Sequence, residues 1–244
     1  MIDAGESTWP EIESAWKAGK IAILAFGAQE EHGPQCPLAT DTLMAQGLAS
    51  RLAAALDAVL LPAVPYGEAW STSGFPGTVS LSSDTVRQIV LDIGVGLKGQ
   101  GAPALVVVNG HFGNKGPIDL ACRELAQRHA FPALCIDYPG IEEAAREVCE
   151  SSPAAPSFYH ADELETSIVL ALAPSSVKMD RAVAEYPEFP STFGSEPIML
   201  DAISKSGVFG DPRSASAEKG ERLLGMLTDR ALSVVRDFLG RVRR

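Results

Sequence analysis

The residues of this chain best suited to metal chemistry lie in one short segment, Gly27-Ala28-Gln29-Glu30-Glu31-His32-Gly33-Pro34-Gln35-Cys36-Pro37-Leu38-Ala39-Thr40-Asp41. Glu30, His32 and Asp41 offer hard oxygen and imidazole donors, and Pro34 and Pro37 stiffen the loop that carries them. A carboxylate such as Asp41 has two oxygens and can bridge two divalent ions, whereas a histidine gives one nitrogen to one ion. Such a donor set, without cysteine, suits Zn, Mn or Fe(II) and excludes a thiolate-rich structural zinc site. Two ions ~3.5–4 Å apart acidify a shared water and polarise the carbonyl it attacks, which is the chemistry of amide or lactone hydrolysis.

The chain has only four histidines. A lone histidine is ordinarily a hydrogen-bonded structural or surface residue, and His129, beside Gln127 and Arg128 near a helix end, keeps that reading. His111 sits in a second glycine-bounded loop, Asn109-Gly110-His111-Phe112-Gly113-Asn114, and joins the candidates. His160 precedes a helical segment containing Glu163 and Glu165. Charges at a helix start also favour the macrodipole, so this third cluster carries less information than the other two. Glu163 and Glu165 are two apart on a helix and point in different directions, so one faces the site and spacing does not say which. Cys36 lies inside the first loop with no histidine paired at short range and reads as a small apolar filler. The run 74–81 lacks the Lys-Ser/Thr ending of a phosphate loop and suits a pocket rim or a subunit contact better.

These loops need strands to hold them. The apolar run 21–26 reads as a buried strand ending at the first loop, and 104–109, continuous and β-branched, reads as the central strand ending at the second. Further strands are expected at 58–64, 78–81 and 133–137. Helices are expected over 42–56, 85–98 (capped by Ser82, Ser83 or Asp84), 116–129, 141–149, 161–172 and 215–241. Alternating strands and helices imply a mostly parallel sheet covered on both faces, a three-layer α/β/α sandwich. In such sheets binding sites collect beyond the strand ends. The irregular stretches 65–77, 150–159 and 184–213 suit a site or an interface. All 244 residues fit one domain, with no repeat and no linker.

Composition narrows the class. With 46% hydrophobic and 21% charged residues the chain is that of an ordinary globular protein. A formal net charge of −11 argues against nucleic-acid binding. Four cysteines without C-x-x-C spacing point to a reducing cytoplasm, and neither a signal peptide nor a bilayer-spanning apolar stretch is evident.

Taken together, the motifs resemble those of the creatininase (creatinine amidohydrolase) family. Its metal signature runs approximately Gly-Ser-x-Glu-Gln-His-Gly-Pro-His-Leu-Pro-Leu-x-Thr-Asp, matched by 27–41. A second, Asn-Gly-His-x-x-Asn, is matched by 109–114, and a third, like His-Ala-Gly-Glu-x-Glu-Thr-Ser, by 160–167. Phe75-Pro76-Gly77-Thr78 and 207–212 are also similar, so the resemblance spans roughly 8–240. It implies that Glu30, Asp41 and His111 hold one metal ion, and that His32 with the bridging Asp41 holds the other. Creatininase itself has a further glutamate ligand two residues after the second-loop histidine, where this chain has Gly113. Glu165 is the expected replacement, with Glu163 behind it. His160 matches the position associated with proton transfer.

Other departures bear on substrate. Gln35 stands for the usual His and Glu31 for the usual Gln, and the only tryptophans, Trp9, Trp16 and Trp70, do not lie where creatininase closes over its ring. Creatinine is therefore disfavoured. The expectation is a cytoplasmic, metal-dependent amidohydrolase with two divalent ions, cleaving a C–N amide-type bond of a small polar or cyclic substrate. His160 and Glu165 are the catalytic candidates. The family also contains deformylases, a peptidase and hydrolases of ring ketones, which remain alternatives beside a non-catalytic metal-binding protein and an Fe(II) oxygen-using enzyme. The family resemblance implies a homo-oligomer, often a hexamer.

Overall fold

In a computed structural model that describes residues 1–242, five strands form one sheet in the order β1-β3-β2-β4-β5. They are β1 (Ile2–Asp3), β2 (Ala22–Phe26), β3 (Val59–Val64), β4 (Leu105–Asn109) and β5 (Ala133–Ile136), and every pairing between them is parallel. The helices are α1 (Trp9–Lys17), α2 (Thr40–Leu56), α3 (Ser83–Gly99), α4 (Lys115–His129), α5 (Ile141–Val148), α6 (Glu163–Leu172) and α7 (Ala217–Val242).

Strand alternation sorts the core into two layers. Ala22, Leu24, Phe26, Leu105 and Val107 pack against apolar residues of α1, α3 and α4. Ile23, Ala25, Val106 and Val108 face the other way, onto α2, α5, α6 and α7. Both central strands are buried along their whole length, which explains their unbroken apolar runs.

The expected helices appear with ends shifted by one or two residues. Ser82 is the cap of α3, its hydroxyl accepting from Thr85 N at 3.2 Å. Two elements are additional. Helix α1 buries only Ala15 and Trp16, too thin an apolar face to announce itself, and β1 is two residues long. One expectation fails: 78–81 is not a strand. Val79 makes an isolated bridge with Gln29 and Ser80 another with Gly67, so this β-branched run clips the site loops together outside the sheet.

Candidate metal centre

The register of the two central strands brings the site loops together. Phe26 and Asn109 are partners at the ends of β2 and β4, and Gly110 N donates to Phe26 O at 2.8 Å, so both loops leave the sheet side by side. β2 is flanked by β3 on one side and β4 on the other, the switch-point topology that opens a crevice at the strand ends. Asn114, fully buried, ties in the loop after β3: its Nδ2 donates to Gly27 O at 3.0 Å and its Oδ1 accepts from Glu68 N at 2.8 Å. Gly113 must be glycine here, because a Cβ would stand 2.1 Å from Glu68 O.

Inside this frame, Glu30, His32, Asp41, His111, His160 and Glu165 are all buried. His111 Nε2 lies 2.7 Å from Glu68 O; a carbonyl only accepts, so Nε2 carries the hydrogen and Nδ1 is turned to the carboxylates. Nδ1 is 2.8 Å from Glu30 Oε2 and 3.1 Å from Asp41 Oδ2. His32 is oriented in the same manner, with Nδ1 3.3 Å from Glu30 O. Its Nε2 faces Asp41 Oδ1 at 3.1 Å and Glu165 Oε2 at 3.6 Å. Asp41 therefore presents one oxygen to each histidine. Thr72 donates to Glu30 Oε1 at 2.6 Å, leaving the other oxygen for His111.

The donor atoms of Glu30, Asp41 and His111 lie within 4.8 Å of one another, as do those of His32, Asp41 and Glu165. A third such group, Glu30, His32 and His160, overlaps both. Glu30 Oε2 and Asp41 Oδ2 are buried without a hydrogen-bond partner, although buried carboxylate oxygens ordinarily have one. Lone pairs converging on one point fit a cation, and this oxygen and imidazole donor set suits a divalent one.

The electrostatics agree. Burial opposes charge on His32, but Asp41, Glu165 and Glu30 outweigh it and raise its pKa well above the ordinary value. His111 is raised in the same way against burial, by Glu30 and Asp41. For Asp41 burial favours the neutral form, yet the two histidines hold its pKa below the usual range. Burial pushes Glu165 up despite His32 and His160. Without ions, protons on the imidazoles do the neutralising.

His160 lies beside this cluster, its ring centroid 4.5 Å from that of His32, with Nε2 3.0 Å from Glu31 Oε1. Burial and His32 disfavour its proton, but the bond to Glu31 and the charges of Glu30 and Glu31 win and its pKa is raised. Phe209 stands 5.8 Å from the His160 ring and leads into an aromatic cluster with Phe158, Phe189 and Phe193.

The two glutamates of the third signature are separated by geometry. Helix α6 starts at Glu163, later than 161, because Ala161 takes a positive φ and Asp162 caps the helix by accepting from Glu165 N. Glu165 points at His32 and accepts from Ala161 N at 2.7 Å. Glu163 points away, accepting from Glu150 N and Ser151 N and pairing with Lys219 at 2.5 Å. Cys36 Sγ lies 3.4 Å from Thr166 Oγ1 and burial pushes its thiol up, as an inert filler requires. His129 ends α4, its carbonyl accepting from Lys98. Sequence reasoning missed Glu31 as the partner of His160, Thr72 as the partner of Glu30, and Asn114 as the tie between loops. The first and last of these lay inside the quoted signatures, but their partners are 129 and 46 residues away.

Fold and cluster place the chain among parallel α/β proteins with a buried His–carboxylate site able to hold divalent ions. Residues 5–235 match the family described as creatininase, creatinine amidohydrolase, and the chain belongs to that family. It is 31% identical to the creatinine amidohydrolase of Pseudomonas putida, covering 97% of this chain and 96% of that one. It is also 31% identical to the mycofactocin precursor peptide peptidase of Mycolicibacterium smegmatis, over 86% of this chain and 81% of the relative. The 3-dehydro-scyllo-inosose hydrolase of Thermotoga maritima is 27% identical, over 96% and 82%. Among solved structures, a mutant creatininase of Zn–Zn type superposes with a TM-score of 0.83 at 30% identity, covering 96% of this chain and 97% of that one. A manganese creatininase gives 0.81 at 29%, over 97% and 98%. At this distance the chain is a creatininase-family amidohydrolase and not creatininase itself. Among the described residues no helix is long and apolar enough to cross a membrane.

Proposed function

We propose that this protein is a dinuclear metal-dependent amidohydrolase cleaving a C–N amide-type bond of a small polar or cyclic molecule. The observation that carries the reading is Asp41, whose two oxygens each belong to a separate donor triad. In this reading Glu30, Asp41 and His111 hold one ion, and His32, Asp41 and Glu165 the other. Zn and Mn are favoured, since related creatininase structures are described in those forms. When bound, the pair supplies Lewis acidity, making water acidic near neutral pH and offsetting charge on a carbonyl oxygen.

The chain's own groups do the rest. The carbonyls of Glu68 and Glu30 hold the two imidazoles in the tautomer that turns a bare nitrogen inward. Glu31 engages His160 Nε2, so the proton available for transfer is the one on Nδ1 of the imidazolium. We assign that proton to the departing nitrogen, in the manner of general-acid catalysis. Glu165, raised by burial until an ion is present, is both ligand and reserve of negative charge.

A second reading keeps the same centre and changes the bond: a peptide link, or a ring opened beside a ketone. The mycofactocin precursor peptide peptidase and the 3-dehydro-scyllo-inosose hydrolase among its relatives favour it. We further read the protein as cytoplasmic, in keeping with its four free thiols, and as a homo-oligomer, in keeping with Phe112, 84% exposed beside the metal loop.

Elemental analysis of purified protein, followed by a screen of cyclic amides, formamides and short peptides, tests the proposal. Two ions per chain and hydrolysis of one of these classes are expected. Asp41→Ala should lose both ions and turnover; an Asp41→Ala protein retaining both ends the bridging role.

A further inference from the structure

The segment 199–210 crosses the metal loop as a strap with no regular structure beyond the 3-10 turn Leu200–Ala202. One carboxylate gathers it. Glu185 Oε2 accepts from Ser204 Oγ at 2.9 Å, from Ser206 N at 2.9 Å and from the Ser206 hydroxyl, while Oε1 accepts from Lys205 N at 2.9 Å. The Glu185 backbone pairs with Gly210 in both directions, at 2.9 and 2.8 Å. Burial disfavours charge on Glu185, but this ring of donors outweighs it and holds its pKa down.

Each serine hydroxyl passes the anchoring on. Ser204 Oγ accepts from Gly207 N at 2.9 Å and Ser206 Oγ accepts from Val208 N at 3.2 Å. Gly207 has φ +75° and lies directly on the Glu31 carboxylate: a Cβ there would stand 1.9 Å from Oε2 and 2.5 Å from Oε1. Glu31 is thus confined between Gly207, the Gly33 N–H at 3.0 Å and His160. Two residues along the strap, Phe209 N donates to His160 O at 3.1 Å. The strap therefore touches both members of the Glu31–His160 pair, and its position is set from a residue that touches neither.

We infer that Glu185 is a positioning residue for proton transfer, acting through Ser204 and Ser206 on Gly207 and so on the Glu31–His160 hydrogen bond. This rests on the proposed role of His160 as proton donor; the bracing itself does not. A glutamate is needed because all its bonds are accepted by carboxylate oxygens, and an amide of the same size turns one of those oxygens into a donor.

The experiment uses the zinc-loaded full chain and the substrate found in the screen. Glu185→Gln should keep two ions per chain and KM within about threefold, while kcat falls about 10–100-fold, the loss expected when a reacting group is misplaced by an ångström. The 15N resonance of His160 Nε2 should move towards the value of an imidazole without a carboxylate partner. The double variant Ser204→Ala/Ser206→Ala, which keeps Glu185 and removes both relays, should do the same, and it replaces the single variant if that one fails to fold. Glu163→Gln serves as a control that perturbs the fold elsewhere and should leave the His160 signal in place. Unchanged kcat with an unmoved His160 resonance overturns the inference, as does loss of the ions. A moved resonance with unchanged kcat upholds the bracing and strikes down His160 as proton donor, a result that His160→Gln then repeats.

Discussion

Stripping the ions should change the slope of stability against pH, and the size of the change follows from two imidazoles. In the metal-free protein His32 and His111 have raised pKa values, since the neighbouring carboxylates outweigh burial. An unfolded histidine titrates near ~6.5. Between that value and the raised one, the folded state holds two protons that the unfolded chain has released. Stability then falls as pH rises, by about 1.4 kcal/mol per pH unit for each histidine, or about 2.8 for the pair. The contribution is fully present below ~6.5 and lost as pH climbs through the folded values. In the loaded protein the ions stand where those protons were, so this slope vanishes in the same window. Below ~6.5 the loaded form weakens instead, because the unfolded imidazoles take up protons. Asp162 and Glu165, both raised chiefly by burial, hold protons in the same sense and steepen the metal-free slope further. Urea melts from about pH 6.5 to 8.5, with chelator and with excess zinc, give the two slopes. Calorimetric titration in buffers of different ionisation enthalpy counts the protons, and about one per ion is expected at pH 7. Parallel slopes, or ions binding without proton release, would refute the placement of these two imidazoles.

Two further outcomes are expected. His160→Gln should retain both ions and lose about 10²–10⁴-fold in kcat, the contribution of a general acid; loss of metal instead would make His160 a ligand. Glu163→Gln should leave metal content and turnover intact, yet lower stability by about 1–3 kcal/mol in chemical denaturation, because Lys219 and the amides of Glu150 and Ser151 lose a buried charged acceptor.

What could be read from the chain without its structure follows from how local each signal is. β2 and β4 are legible as unbroken apolar runs because a central parallel strand is buried on both faces, and a loop that follows such a strand is automatically near its neighbour's loop. Glu30, His32, Asp41 and His111 become candidates for that reason. The 78–81 run carries the same β-branched signal but spends it on two isolated bridges, a distinction no local pattern encodes. For Glu163 and Glu165, helical periodicity says the two diverge. Which one meets His32 depends on Lys219 and on the turn at Ala161, far away in sequence or set by tertiary packing. The pairing of Glu31 with His160 had no local signal at all.

The cluster also violates the rules that the rest of the fold obeys, and the violation is informative. Elsewhere buried residues are mostly apolar and in register with their strand or helix; here Glu30, Glu31, Asp41, Asp162 and Glu165 are buried within one region. Left to themselves, five acids in a low-dielectric interior would shed their charge or unfold it into water. Thr72, the Ala161 amide and the protonated imidazoles relieve part of that cost, but Glu30 Oε2 and Asp41 Oδ2 have only the one Nδ1 of His111 to share between them. A sequence free to optimise stability would replace such a cluster with leucines, because a well-packed apolar core usually matches or exceeds a buried ionic one. Its presence at the carboxyl edge of the two most buried strands, on loops locked by Asn114, implies that something of compact positive charge completes it. Two divalent ions would do so with donors already aimed, since the orienting bonds of His32 and His111 lie on the ring nitrogens that face away from the carboxylates.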